Sequence, residues 1–275
     1  MSVAVVTGGA SGIGRAIATA LVARGDTVLV TDIDADGAHR VADRLNTLGR
    51  GKAAAAALDV TDAAAVAATY QGVRDEHRRL DLVFNNAGIA VGGLAEELTL
   101  DHWNRAIDIN LKGVVHGVHA AYPIMLEQGS GHIVNTASLA GLVPMPAGIP
   151  YTATKHAVVG LSLGLRAEAA GRGVKVSVVC PGFVDTPLLV NVNPGLPETR
   201  LSGDAKADIA RAAPRLYTPE KLARDIMRGV RRNQALIVAP ANGRAAWRAA
   251  RLNPALAVRA ARLFVDRMRA RQPGL

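Results

Sequence analysis

Short apolar runs alternate with longer helical patterns over the first 180 residues. Val3–Thr7 has valine at three of its five positions and runs into Gly8-Gly9-Ala10-Ser11-Gly12-Ile13-Gly14, after which helical patterning continues to about Arg24. Gly25-Asp26 is a turn, and Thr27–Thr31 reads as a second strand of the buried type. Residues 34–48 read as helix, stopped by Gly49-Arg50-Gly51. The alanine run Ala53–Ala57 then leads through Leu58 to Asp59-Val60; length and position make it a third strand, although alanine itself favours helix. Thr61–Arg79 is helical with Thr61 or Asp62 as its cap, Leu82–Phe84 is a fourth strand, and Leu100–Gln128 reads as one long helix. His132–Thr136, Pro150–Ala170 and Val174–Val179 follow as strand, helix and strand.

Strands apolar on both faces and separated by helices pack as a parallel sheet with right-handed crossovers. The expected fold is therefore a doubly wound α/β domain. After Pro181 the pattern changes. Phe183–Arg215 holds four prolines among scattered Leu, Ile and Val, which suggests a lid of short helices over residues 183–216. Thr218–Asn233 is a further helix with Pro219 at its first position, and Ala235–Val238 is a last strand.

At 275 residues the chain is expected to form one domain, or at most two. Its 49% hydrophobic and 20% charged residues exclude global disorder. One cysteine, Cys180, excludes an intrachain disulfide framework and a cysteine-built metal cage. No secretory leader pattern and no run near 18 apolar residues is visible, so the expected location is the cytoplasm. The net charge of +9 is uneven: residues 240–275 hold eight arginines against Asp266, or +7, leaving +2 for the other 239 residues. The chain thus divides into a nearly neutral domain, 1–240, and a basic helical extension, 241–275.

The glycine turn between the first strand and the first helix is suited to phosphate. Glycines permit a tight turn and close backbone approach, and the helix start offers free amides and positive dipole. Gly8, Ser11, Gly12, Ile13 and Gly14 are therefore candidate contacts to a dinucleotide. Asp32 follows the second strand, 18 residues after Gly14, where an acid accepts hydrogen bonds from the adenine-side ribose. Its charge repels a 2′-phosphate, and no basic residue stands at position 33, so NAD is expected over NADP. Asp59 and Val60 are candidates for the adenine end, with a helix-capping aspartate as the alternative.

Tyr151 and Lys155 share one helical face at i,i+4. An ordinary tyrosine, with a pKa of about 10, seldom exchanges protons at neutral pH. A neighbouring ammonium favours the phenolate and makes it a usable acid–base. Ser138, just beyond the fifth strand, is placed to hold a substrate oxygen.

Taken together, Thr7-Gly8-Gly9-Ala10-Ser11-Gly12-Ile13-Gly14, Asn85-Asn86-Ala87-Gly88, Asn110, Ser138, Tyr151-x-x-x-Lys155 and Pro181-Gly182 resemble the short-chain dehydrogenase/reductase family in its compact single-domain branch. The resemblance spans roughly residues 3–240. It implies a seven-stranded Rossmann-type sheet binding NAD or NADP without a metal, with Tyr151 as general acid–base. Lys155 is then expected to lower the tyrosine pKa and hold the nicotinamide ribose, Ser138 to orient the substrate oxygen, and Asn110 to support a water-linked proton relay. Asn86, Ala87 and Gly88 are expected on the adenosine side, and Pro181, Gly182, Val184 and Thr186 at the nicotinamide end. The implied reaction interconverts a secondary alcohol and a ketone, and the chain is expected to form a homo-oligomer, a dimer or a tetramer. The rival reading is a non-catalytic dinucleotide sensor or scaffold.

The uncharged stretch 139–150, with Phe183, Leu188, Leu189 and Leu196, suggests an apolar pocket and hence a hydrophobic substrate; plain core packing is the alternative. His116 and His119 lie i,i+3 without a carboxylate at a metal-binding offset and read as packing or surface. Trp103, Met125 and Cys180 read as packed side chains. In the tail, Leu256, Ala260, Leu263 and Phe264 fall near one helical face and Arg259, Arg262, Asp266 and Arg269 on another, with Arg267 and Arg271 intruding on the apolar side. Three readings stay open for Arg244–Arg271: peripheral contact with an anionic membrane, with Trp247 at the acyl boundary; packing on a neighbouring subunit; and a solvated helix. Nucleic acid is not expected, because no aromatic-interleaved basic groove accompanies the charge.

Overall fold

Valine-rich runs buried on both faces build the centre of the molecule, and a computed structural model describes it over residues 1–201 and 216–270. Seven parallel strands form one sheet in the order β3-β2-β1-β4-β5-β6-β7. These are β1 (Val3–Thr7), β2 (Thr27–Asp32), β3 (Lys52–Ala57), β4 (Leu82–Asn85), β5 (Gly131–Thr136), β6 (Val174–Pro181) and β7 (Leu236–Ala239). Alternation along β1 sends Ala4 and Val6 to one face and Val3 and Val5 to the other. The first face is covered by α1 (Gly12–Arg24), α2 (Ala35–Asn46) and α7 (Pro219–Arg231), through Ile17, Leu21, Val41, Leu222 and Ile226. The second is covered by α3 (Ala63–His77), α5 (Gly113–Gln128) and α6 (Ile149–Glu168), through Tyr70, Val73, Met125, Val158 and Val159. The expected doubly wound architecture is present. Of the expected lid, 202–215 lies outside the described residues.

Three local readings need correction. The expected single helix over 100–128 is α4 (Leu100–Ile107), a π-helical turn at Asp108–Lys112, and α5. A π turn inserts one residue without breaking the apolar pattern, so periodicity gives no warning of it. Second, β3 ends at Ala57, so Asp59-Val60 lies in the loop beyond it. The exposed Asp59 carboxylate accepts from the amide and hydroxyl of Thr61 at 2.9 and 2.8 Å, and these bonds hold its pKa low. Asp62 caps α3, accepting from the amides of Ala64 and Ala65. Third, Leu139 and Leu142 of the uncharged stretch pack with Trp247 against the core under α6, so part of that stretch is core rather than pocket wall.

His132 in β5 is buried, and its Nε2 stands 2.8 Å from Ser177 Oγ, whose own hydrogen goes to the Gln234 carbonyl. Burial, with Lys175 and Arg166 adding repulsion, pushes the imidazole pKa down to about 4. The unfolded chain therefore binds a proton between about pH 6.5 and 4 that the native protein excludes, and stability falls as pH drops through that window. The expected loss is on the order of 3 kcal/mol. Urea unfolding of wild type and His132→Asn at pH 7 and pH 4.5 checks this; equal losses in both proteins would show that the buried imidazole is not responsible.

Candidate active site

A parallel sheet opens a crevice outside its strand ends where the connections diverge to opposite faces. Here that point lies between β1 and β4, and the loops after β1, β4, β5 and β6 converge there. Gly8 and Gly12 adopt positive φ (+64° and +48°), and each of the three spaced glycines is needed for a different contact. A Cβ on Gly8 would sit 2.9 Å from Ala87 Cα, one on Gly12 3.1 Å from Thr186 Cγ2, and one on Gly14 2.1 Å from the Gly8 carbonyl oxygen. The first and second contacts bring the loops after β4 and β6 against the turn, assembling Asn86–Gly88 and Thr186 around one cleft.

The start of α1 is left open. Ser11 makes no side-chain cap and the first turn carries no acid, whereas α2, α3 and α7 are capped by Asp34, Asp62 and Thr218. The amides of Gly12, Ile13 and Gly14 have no carbonyl within the helix to bond, so a pyrophosphate fits the turn chemically and sterically. The Asp32 carboxylate accepts from the amide of Ala10 at 3.0 Å and from that of Asp34 at 3.1 Å, fixing the turn against the end of β2. Thr7, which sequence reading left without a separate role, joins the two sides. Its Oγ1 accepts from the amides of Asn86 and Ala87, both at 3.0 Å, while Asn86 Nδ2 donates to the Thr7 carbonyl at 3.1 Å.

Ser138 faces Tyr151 across the cleft, close enough to favour its phenolate, and the serine hydroxyl accepts from the Ala140 amide at 3.1 Å. Lys155, one turn along α6, is buried, with its ammonium 5.6 Å from the centre of the Tyr151 ring. Its Nζ donates to the Thr136 carbonyl at 3.0 Å, a partner that leaves no mark in the sequence because any residue supplies a carbonyl. Burial is the largest influence on both groups. It pushes the Tyr151 phenol above its ordinary range, opposed by the neighbouring Ser138 side chain, and it lowers Lys155 to about 8. The expectation that Lys155 lowers the tyrosine pKa is thus not met in the protein alone, where desolvation prevails. Cys180, buried beside them, is pushed up to about 12 by burial and stays a thiol.

Asn110 lies inside the π turn and is fully buried. Its side chain clamps the Ile89 peptide from both sides, accepting from its amide at 2.9 Å and donating to its carbonyl at 3.0 Å. A Cβ on Gly88 would lie 2.9 Å from Asn110 Oδ1 and 3.5 Å from Lys155 Nζ, so the loop after β4 runs directly under the lysine. At the far end, the Gly182 amide donates to the Ala239 carbonyl at 2.8 Å, and Val184 is buried in a bridge to Tyr217, which fixes the path beyond Pro181.

Asp59 and Val60 lie in the loop after β3, at the same end of the parallel sheet, with Val60 packed against Gly113 at the start of α5. His116 Nδ1 is bonded to the Val60 carbonyl at 2.8 Å and His119 is exposed. Among the described residues no cluster of His, Cys, Asp and Glu is placed to hold a metal ion. Sequence reading also missed Asn193. Its buried side chain pairs with both sides of the Gly92 peptide, accepting from the amide at 2.9 Å and donating to the carbonyl at 2.7 Å. That bond, with the Arg200–Glu97 ion pair at 2.8 Å, ties the segment after β6 to the segment after β4.

A dinucleotide turn facing a serine, a tyrosine and a buried lysine across the switch point of a Rossmann-type sheet defines a nicotinamide-dependent oxidoreductase. Residues 2–197 match the family described as short chain dehydrogenase, and the chain belongs to that family. It is 40% identical over 189 residues to the cyclohexanol dehydrogenase of Acinetobacter sp. (strain SE19), covering 68% of this chain and 74% of that one. It is 44% identical over 186 residues to the D-threitol dehydrogenase of Mycolicibacterium smegmatis, covering 68% and 71%. Among solved structures, it is similar to a short chain dehydrogenase/reductase from Burkholderia phymatum in complex with NAD, with a TM-score of 0.82 at 33% identity over 90% of this chain and 92% of that one. It is also similar to a short-chain dehydrogenase from Sphingobium yanoikuyae in complex with NADPH, with a TM-score of 0.77 at 27% identity over the same shares.

Proposed function

We propose that this chain is an NAD-dependent dehydrogenase of an apolar secondary alcohol, working reversibly on the ketone. The observation that carries the reading is the convergence of Ser138, Tyr151 and the Lys155 ammonium, 5.6 Å from the centre of the tyrosine ring, at the cleft the glycine turn opens. The turn from Gly8 to Gly14 would hold the pyrophosphate, Asp32 the adenine-side ribose, and Asn86–Gly88 with Asp59 and Val60 the adenosine side. Pro181, Gly182, Val184 and Thr186 would hold the nicotinamide end, and Lys155 its ribose. Bound nicotinamide supplies the hydride exchange with the substrate carbon.

The rest is the work of the chain. Ser138 holds the substrate oxygen while Tyr151 takes the hydroxyl proton or returns it. Lys155 offsets the phenolate charge in a site where burial disfavours that charge, and the Thr136 carbonyl holds the lysine in place. Asn110 fixes Gly88 and Ile89 beneath Lys155 and supports a water-linked path for the proton. The 1–240 unit carries this chemistry, and residues 241–275 follow it as a basic helical extension. A homo-oligomer, dimer or tetramer, is proposed for this chain as well.

An apolar substrate is supported by what is left uncovered. Ile149, Phe183 and Val190 are large apolar side chains exposed in the segments flanking Tyr151 and following β6, where a polar substrate would gain nothing from them. NAD is supported by Asp32 and by Ile33 beside it, which is exposed and offers a 2′-phosphate no charge. A panel of secondary alcohols with NAD and with NADP, followed by reduced-cofactor absorbance, tests both points. The expected result is turnover of alicyclic alcohols over polyols, and kcat/KM at least about 100-fold higher with NAD, the effect of a few kcal/mol from one repelled phosphate. Asp32→Ser with Ile33→Arg is expected to bring the cofactors level or invert them. Equal use of both by wild type would sink the role given to Asp32. No turnover of any alcohol or ketone would favour the sensor reading.

A further inference from the structure

Two helices follow β7. One, α8 (Ala241–Leu252), docks Trp247 on the core beneath α6 and bonds Arg244 to the Val238 carbonyl at 2.8 Å. The second, α9 (Pro254–Ala270), packs chiefly on α8. Ala257, Ala261 and Val265, at i, i+4 and i+8, are half-buried. Around that stripe the helix is unprotected: Leu256, Val258 and Leu263 are each more than half exposed, and Leu252 at the joint is 87% exposed. Arg248, Arg251, Arg259 and Arg262 are exposed beside them, and the segment's one acid, Asp266, lies 3.7 Å from Arg262. Of the residues assigned above to the helix faces, Phe264, Arg267, Arg269 and Arg271 lie outside the described side chains.

The patch combines leucines in water with a charge of +7 in 36 residues, and this combination selects the occupant. A second copy docking the same patch would set seven net positive charges against seven. The rest of either chain, at +2, carries no net negative charge to offset it. A nucleic acid would satisfy the arginines and leave the leucines in water. An anionic bilayer surface satisfies both, because headgroups attract the guanidinium groups while short apolar side chains enter the acyl boundary. No helix among the described residues is long and apolar enough to cross a membrane, so the contact would lie in the interface plane.

We propose that the α8–α9 extension is an interfacial anchor for anionic lipid. The inference stands independently of the reaction, but the location is informative. A Cβ on Gly243 in the first turn of α8 would lie 3.5 Å from Leu139 Cδ2, next to Ser138, so the anchor leaves the fold at the rim of the candidate active site. Attachment would hold that rim near the membrane.

The test is co-sedimentation of the full-length protein with vesicles of phosphatidylcholine alone and of phosphatidylcholine with one-third phosphatidylserine, in low and physiological salt. Wild type is expected to bind the anionic vesicles and to weaken as salt rises. Arg248→Gln/Arg251→Gln/Arg259→Gln should weaken binding by about fivefold per charge removed, the effect of roughly 1 kcal/mol for each basic side chain near such a surface. Leu256→Glu/Leu263→Glu should abolish binding while alcohol turnover and the melting temperature stay at wild-type values. Equal partitioning on neutral and anionic vesicles, no sedimentation with either, or full binding by the leucine variant would each overturn the anchor. So would a leucine variant that changes the sedimenting mass in lipid-free solution, since the patch would then be a contact between copies.

Discussion

Tyr151→Phe is expected to leave the protein folded and dinucleotide affinity within a few-fold of wild type, while kcat drops by about three orders of magnitude, within the range general acid–base groups contribute. One oxygen is removed and the ring remains, so the packing of α6 and the position of Lys155 beside the ring are retained. Lys155 also keeps the Thr136 carbonyl at 3.0 Å, a bond independent of the tyrosine. What disappears is the proton site beside the substrate oxygen. Lys155 does not replace it, because its ammonium stands behind the ring and is held on the Thr136 carbonyl. Ser138 is an ordinary hydroxyl, and Cys180, pushed up to about 12, keeps its proton. Alcohol oxidation by wild type should rise with pH as the phenolate becomes accessible; the residual rate of the variant should lose that limb. Stopped-flow turnover across pH, with titration calorimetry of NAD on the same samples, makes the check. A variant within tenfold of wild type would remove Tyr151 from the mechanism.

The parts of this molecule legible in sequence are those whose physics is local. Valine runs, glycine spacing and the i,i+4 pair each leave a pattern in adjacent residues, and the sheet, the turn and the Tyr151–Lys155 face follow from them. The third strand was legible against propensity. Alanine favours helix, yet Lys52–Ala57 is a strand because β2 offers a full parallel edge, pairing Thr27–Asp32 with Lys52–Ala57. Features built from backbone groups or from distant segments left no signal. The Thr136 carbonyl under Lys155, the Asn193 clamp on Gly92 across about 100 positions, and the π turn around Asn110 belong to this second kind. The tyrosine pKa fails for a related reason: spacing reports a neighbouring charge, whereas desolvation depends on everything packed around it.

Gly14→Ala carries the second large effect, and it tests whether the turn is a cofactor cradle or a mere loop. A methyl group at this position would stand 2.1 Å from the Gly8 carbonyl oxygen, 2.7 Å from its carbon and 2.8 Å from Asn86 Nδ2. Two of those atoms are backbone, so relief requires the turn and α1 to separate by more than an ångström. The side-chain network behind Gly8 resists this, because Thr7 Oγ1 holds Asn86 and Ala87 and the Asp32 carboxylate holds Ala10. Overpacking of this kind costs about 1–3 kcal/mol of stability. The larger consequence falls on the ligand, since a displacement of that size takes the Gly12–Gly14 amides out of reach of the phosphates. Dinucleotide affinity is expected to fall by at least about 100-fold, the equivalent of roughly 2.7 kcal/mol. Gly72→Ala is the control: it sits on an exposed face of α3 with nothing within 4 Å of the added methyl. Alanine there should raise stability by about 0.5–1 kcal/mol and leave affinity unchanged. Calorimetric titration of NAD, paired with thermal melts of both variants, separates the two effects. If Gly14→Ala melts lower but binds NAD as wild type does, the close approach is structural and the phosphates lie elsewhere.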